Sequence, residues 1–224
     1  MIKIDEKLIR RNYSDRKGQP IKYIVIHDTA NTGKGADAEA HYRLFDREDR
    51  GASAHYFIDD KQILRVVRDE DKSWHCGDGH GKYGITNENS IGIEMCINSD
   101  GDFNKTYQNT IDLVKYLMGK YNISIDKVVR HYDASRKSCP DTWEQNNWSK
   151  WDKFKGDLMR LDTENHKDYI PSITLLYKNV FQREPDNEGL TYWNDQLNTG
   201  LSFGDMLKQW GESEEFREKY IYNY

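Results

Sequence analysis

A mixed β-sheet flanked by helices, an α/β domain, followed by a small all-α C-terminal domain, is the fold class this sequence predicts. Three patterns carry the prediction. Short runs rich in β-branched residues recur at 21–26, 90–95 and 127–130; apolar residues at helical spacing lie between them; beyond residue 170 every apolar pattern has a helical period.

Ile21 to Ile26 reads as a central strand that ends on His27, and the chain then turns through Asn31-Thr32-Gly33-Lys34-Gly35. Ala36, Ala40 and Leu44 are expected on one face of the next helix. His55 to Ile58 and Ile63 to Val67 pair as a hairpin across Asp59-Asp60-Lys61-Gln62, and the Gly-rich stretch 73–89 reads as irregular. Ser90 to Met95 is a strand, and Tyr107, Ile111, Val114, Met118 and Tyr121 mark an amphipathic helix over 106–121. Lys127 to Arg130 is a further strand and it too ends on a histidine, His131; a helix from Trp148 to Leu161 closes the domain, assigned to residues 1–162. Residues 163–170, polar through Asp168, read as a linker, and 171–224 as four helices broken at Pro185–Gly189 and Thr199-Gly200. Most of the tail's aromatic residues are expected in its core.

The chain has room for one good-sized core and one small module. Its formal net charge is −5, and the excess sits in residues 163–224, which hold six Lys or Arg against eleven Asp or Glu. With no clustered basic stripe, nucleic acid is excluded as the main partner. Nothing approaches the apolar length of a membrane span or of a signal peptide, so export by another route, or release after synthesis in the cytoplasm, is expected. The three cysteines, Cys76, Cys96 and Cys139, are far apart and odd in number, which argues for reduced thiols, one of them available to a metal.

Two histidines at strand ends and a cysteine eight residues after the second suit a zinc site with an open position. Spacing alone leaves the alternatives standing, because a histidine after a strand is often a hydrogen-bonded structural residue and a lone cysteine a small core residue. On its own Glu94 reads as a solvated or salt-bridged strand residue, and Lys137 as an ordinary loop lysine. His41, His80 and His166 read as surface residues, Cys96 as buried. Asp100-Gly101-Asp102 and Asp186–Gly189 lack the rest of a calcium loop and read as turns.

The segments Ile24–Thr29, Ser53–Ile58, Trp74–Gly79, Ser90–Glu94 and His131–Asp133 through Lys137–Pro140, in this order, resemble the N-acetylmuramoyl-L-alanine amidase type 2 family. That family includes phage endolysins, bacterial autolysins and the peptidoglycan recognition proteins. The resemblance spans about residues 20–160 and implies a zinc amidase fold with one zinc ion on His27, His131 and Cys139. It also implies Glu94 as the catalytic carboxylate and Lys137 as the second catalytic group, with His75 and His55 bordering the substrate cleft. The implied substrate is the amide between N-acetylmuramic acid and the L-alanine of the stem peptide in bacterial peptidoglycan. Family members that bind the wall without cutting it typically lack the cysteine ligand, so Cys139 favours cleavage over a pure binding role. Residues Leu176–Asp186, Gly189–Trp193 and Ser213–Phe216 resemble a small helical domain of unknown function, DUF4214-like, in bacterial surface proteins. Wall targeting is the role expected of it. An endolysin made in the cytoplasm is the leading expectation and an exported autolysin the alternative.

Overall fold

A computed structural model describes residues 2–160, 168–198 and 201–221. The chain divides between Arg160 and Leu161 into two compact units, each with its own apolar core. Leu161, most of the expected linker (163–167, with His166) and the expected break at Thr199-Gly200 lie outside the described residues.

In the first unit β1 (Asp5–Glu6), β2 (Tyr13–Asp15) and β3 (Tyr23–Asp28) precede α1 (Ala38–Arg47). Next come β4 (Tyr56–Ile58), β5 (Ile63–Arg65), β6 (Asp71–Ser73), β7 (Ser90–Met95) and α2 (Phe103–Tyr121). The unit closes with β8 (Val128–Arg130), α3 (His131–Ser135) and α4 (Gln145–Met159). Six strands form one mixed sheet in the order β1-β5-β4-β7-β3-β8, while β2 pairs with β6 apart from it. The β4/β5 hairpin is antiparallel and every other neighbouring pair in the six-stranded sheet is parallel.

β3, covered on both faces, carries the continuous apolar run Ile24-Val25-Ile26, whereas β7 alternates, with Ile91, Ile93 and Met95 on one face and Ser90, Gly92 and Glu94 on the other. Ile24, Ile26, Ile91, Ile93 and Met95 face α2 and α4, packing with Leu113, Val114, Leu117 and Phe154. Val25 points the other way and packs with Cys76, Ile85 and Ala134. The two-residue alternation of a strand therefore sends His27 and Glu94 to this second face, at the C-terminal ends of β3 and β7.

Two details of the expected helices change. Asp37 caps α1 by accepting the Ala40 backbone N–H at 2.8 Å, so Ala36 lies before the helix. The buried face is instead built from Ala38 and His41, with Tyr42 and Phe45 packed beside it. His41 is therefore not a surface residue: its ring stacks on Phe57, with centroids 5.2 Å apart, and its Nδ1 donates to the Asp37 carbonyl. Asp102, expected in a turn, caps α2 and starts that helix at Phe103.

The second unit consists of α5 (Ile170–Val180), α6 (Asn187–Asn198), α7 (Phe203–Glu212) and α8 (Glu214–Tyr220). Ile173, Tyr177, Phe181, Leu197, Met206 and Trp210 form its core. Tyr192 departs from the expected pattern, being 52% exposed. Ser202 and Ser213 cap α7 and α8 by accepting backbone N–H groups of Asp205 and Phe216. Among the described residues no helix is long and apolar enough to cross a membrane.

Candidate metal centre

The sheet brings the candidate residues together by register. His27 lies opposite Glu94 in the β3/β7 ladder, and the β3/β8 ladder ends at Ile26 opposite Arg130, so His131 follows directly beside His27. Cys139 returns to them through the loop after α3, where the Tyr132 N–H donates to the Cys139 carbonyl at 3.1 Å. Asp28 anchors the far side of that loop, its Oδ2 accepting from the Thr142 backbone N–H at 3.0 Å and from the Thr142 hydroxyl at 2.7 Å. The ligand atoms of His27, His131 and Cys139 all lie within 4.8 Å of one another, and all three residues are buried.

These residues fit a zinc ion. A tetrahedral ion with bonds of about 2.0–2.3 Å spaces its donors by about 3.5 Å, and His27 Nδ1 stands 3.6 Å from Cys139 Sγ. His131 Nε2 lies 2.8 Å from Asp78 Oδ1. The Asp78 carboxylate accepts, so the imidazole proton sits on Nε2 and Nδ1 carries the lone pair. That Nδ1 is buried with no hydrogen-bond partner, as a ligand atom awaiting an ion would be. A histidine that donates its far nitrogen to a carboxylate is the usual outer arrangement of a metal site. The Asp28 backbone N–H supports Cys139 Sγ.

Burial dominates the electrostatics. It holds His27 well below the ordinary imidazole range, with His131, His75 and Lys137 adding to the effect, and it lowers His131 against the pull of Asp78. It raises the Cys139 thiol, helped by Glu94. Glu94 itself is held well above the usual carboxylate range by burial and by Asp28, with Lys137 opposing. Glu94 Oε1 is 4.0 Å from His27 Nδ1, while its Oε2 is buried without a partner. Lys137 is exposed and lines the same cleft, whose volume is about 210 Å³ and whose walls include Phe45, Trp74, His75, Ser138 and Asp141.

The other two expected site residues lie deeper. His75 lines the cleft but is 8% exposed, with Nδ1 3.0 Å from His27 Nε2. His55 does not border the cleft as expected: it is fully buried, with the Gly92 N–H on its Nδ1 and the Arg16 guanidinium 2.9 Å from its Nε2. Sequence reading missed Asp78, Asp28 and Ser90. Asp78 lies inside the Trp74–Gly79 motif, so its position was visible although its role was not.

Over residues 17–142 the chain matches the family model described as N-acetylmuramoyl-L-alanine amidase, and over 158–220 that of a domain of unknown function, DUF4214. Among curated relatives, N-acetylmuramoyl-L-alanine amidase XlyA of Bacillus subtilis (strain 168) is 41% identical over 64% of this chain and 50% of its own length. N-acetylmuramoyl-L-alanine amidase CwlH of the same organism is 36% identical over 78% of this chain and 68% of its own. The chain thus spans half of the one and about two thirds of the other. A solved structure of a mutant endolysin from Bacillus subtilis superposes with a TM-score of 0.61 at 42% identity, covering 70% of this chain and 99% of that one. The catalytic domain of XlyA gives 0.61 at 39% identity, with the same coverage.

Proposed function

The chain belongs to the N-acetylmuramoyl-L-alanine amidase family, and from that premise we propose that it is a zinc-dependent hydrolase of the amide between N-acetylmuramic acid and L-alanine in peptidoglycan. The observation that carries the reading is the convergence of the His27, His131 and Cys139 ligand atoms within 4.8 Å, with Glu94 and Lys137 on the same cleft.

His27 and His131 through Nδ1, and Cys139 through Sγ, would hold the ion. When bound, zinc supplies Lewis-acid polarisation of a carbonyl and makes water more acidic. The chain's own residues do the rest. The Glu94 carboxylate takes a proton from the attacking water as the new C–O bond forms, then delivers it to the departing alanine nitrogen as the C–N bond breaks. The Lys137 ammonium donates to the carbonyl oxygen as negative charge develops there. Burial of the ligands and of Glu94 Oε2 keeps bulk water from competing with these contacts.

Purified walls should lose turbidity on addition of the chain and stop doing so with chelator, activity returning with zinc. Mass spectrometry should find new free lactyl carboxyl groups and alanine amino termini; new reducing ends or cuts within the peptide would refute the assigned bond. Glu94→Gln should lower turnover by about 10²–10⁴-fold, and Lys137→Met by about 10²–10³-fold, both keeping about one zinc per chain.

A role in host lysis is supported by the likeness to the Bacillus subtilis endolysin structure. We also assign wall retention to the second unit, because tethering raises local substrate concentration without a catalytic residue. Truncation after Arg160 should reduce sedimentation with walls while leaving turnover of a soluble muramoyl peptide intact; equal sedimentation would remove the targeting role.

A further inference from the structure

A chain of hydrogen bonds runs from Ser90, at the N-terminal end of β7, to His27. The Ser90 hydroxyl donates to the Thr86 carbonyl, and Ser90 Oγ lies 3.0 Å from His75 Nε2. With its one proton spent on Thr86, Ser90 can only accept from His75, so His75 Nε2 carries the imidazole proton and Nδ1 the lone pair. His75 Nδ1 lies 3.0 Å from His27 Nε2 and accepts from it in turn. His27 is left with its lone pair on Nδ1, the nitrogen that faces Cys139 Sγ at 3.6 Å. Reversing the chain would set the Ser90 oxygen lone pairs against the Thr86 carbonyl, so a backbone carbonyl at one end dictates the nitrogen exposed at the other.

The surroundings hold this arrangement in place. Asn87 Oδ1 accepts from the backbone N–H groups of His75 and Cys76, at 3.0 and 2.8 Å. Gly92 leaves the space the His75 ring occupies, since a Cβ there would fall 2.5 Å from His75 Cγ. His75 and Ser90 are 8% and 0% exposed, so water does not substitute for either contact.

Resting on the zinc reading above, we infer that His75 and Ser90 are positioning residues of the metal site: they orient His27 and hold the tautomer that leaves Nδ1 free for the ion. They do for His27 what Asp78 does for His131, with a neutral relay in place of a carboxylate. His75 thus serves the site from behind a ligand.

Zinc affinity of the full chain, measured by competition with a chromophoric chelator, tests this apart from activity. His75→Met keeps the bulk but removes the acceptor, and Ser90→Ala removes only the hydroxyl; each should weaken zinc binding by about 10–100-fold, the usual loss for an outer partner. His75→Gln can accept from His27 Nε2 through its carbonyl oxygen and donate its amide to Ser90, so it should bind severalfold more weakly than wild type but clearly tighter than His75→Met. Wild-type affinity in His75→Met or Ser90→Ala, or a Gln variant no better than the Met variant, overturns the assignment. Should His75→Met fail to fold, Ser90→Ala decides by the same measurement. A wild-type chain that takes up no zinc sinks the metal reading itself, whereas tight wild-type binding matched by all the variants sinks only the relay.

Discussion

Arg16 is 3% exposed, and its guanidinium donates to the carbonyls of Asp69, Glu88 and Ser90 while lying 2.9 Å from His55 Nε2. With the Gly92 N–H already on Nδ1, His55 has no favourable place for a second proton. Burial first, and Arg16 second, lower its pKa to about 3. In the unfolded chain an imidazole titrates near ~6.5. Between that value and about 3 the unfolded state binds a proton that the folded state refuses, so stability falls as pH falls through this window. Thermal unfolding followed by circular dichroism should show the melting temperature dropping below pH ~6.5, with a shallower slope in His55→Gln; an unchanged slope would deny His55 its part. This residue also shows where sequence reading stopped. His27, His131, Cys139, Glu94 and Lys137 carry chemistry that their motifs imply, whereas Asp78, Ser90 and Gly92 stand in the same motifs but, like Arg16 outside them, act through contacts made by segment 73–89. That segment has no periodicity from which to infer its path.

At the scale of elements, the legible parts were those with enough length to show a period. β3, β7 and α2 carry six, six and nineteen residues, and they stood out as an apolar run, a two-residue alternation and a helical stripe. β1, β2 and β6 have two or three residues and polar sequences, because pairing with neighbours rather than apolar burial defines them. α2 is the element on which the site's rigidity leans. Its Leu113, Val114 and Leu117 are fully buried against the faces of β3, β4 and β7 opposite His27 and Glu94. Leu117→Ala should therefore cost about 2–5 kcal/mol through lost burial and a cavity, measured as a lower urea midpoint at unchanged slope. Tyr116, 41% exposed on the same helix, is the control, and its alanine variant should change stability by about 0.5 kcal/mol or less.

For the whole molecule, two cores imply two cooperative units. The sheet unit encloses the residues assigned to zinc, and the helical unit closes on Tyr177, Phe181, Met206 and Trp210 without any of them. A ligand that binds only the folded form of one unit stabilises that unit by mass action, by about 4.1 kcal/mol at a thousandfold excess over Kd. Scanning calorimetry of the full chain should therefore resolve two transitions. Chelator should lower only the one that depends on the sheet unit, and zinc should restore it. Tyr177→Ala, which opens the helical core, should lower the other transition and leave the zinc-sensitive one in place. The assignment of each transition follows from these paired responses, since one perturbation acts on the His27–His131–Cys139 centre and the other on the aromatic cluster around Trp210. A single transition that moves as a whole with both treatments would mean that the two cores unfold as one cooperative body, and the retention role assigned to the helical unit would then have to be tested by substitution within it rather than by truncation.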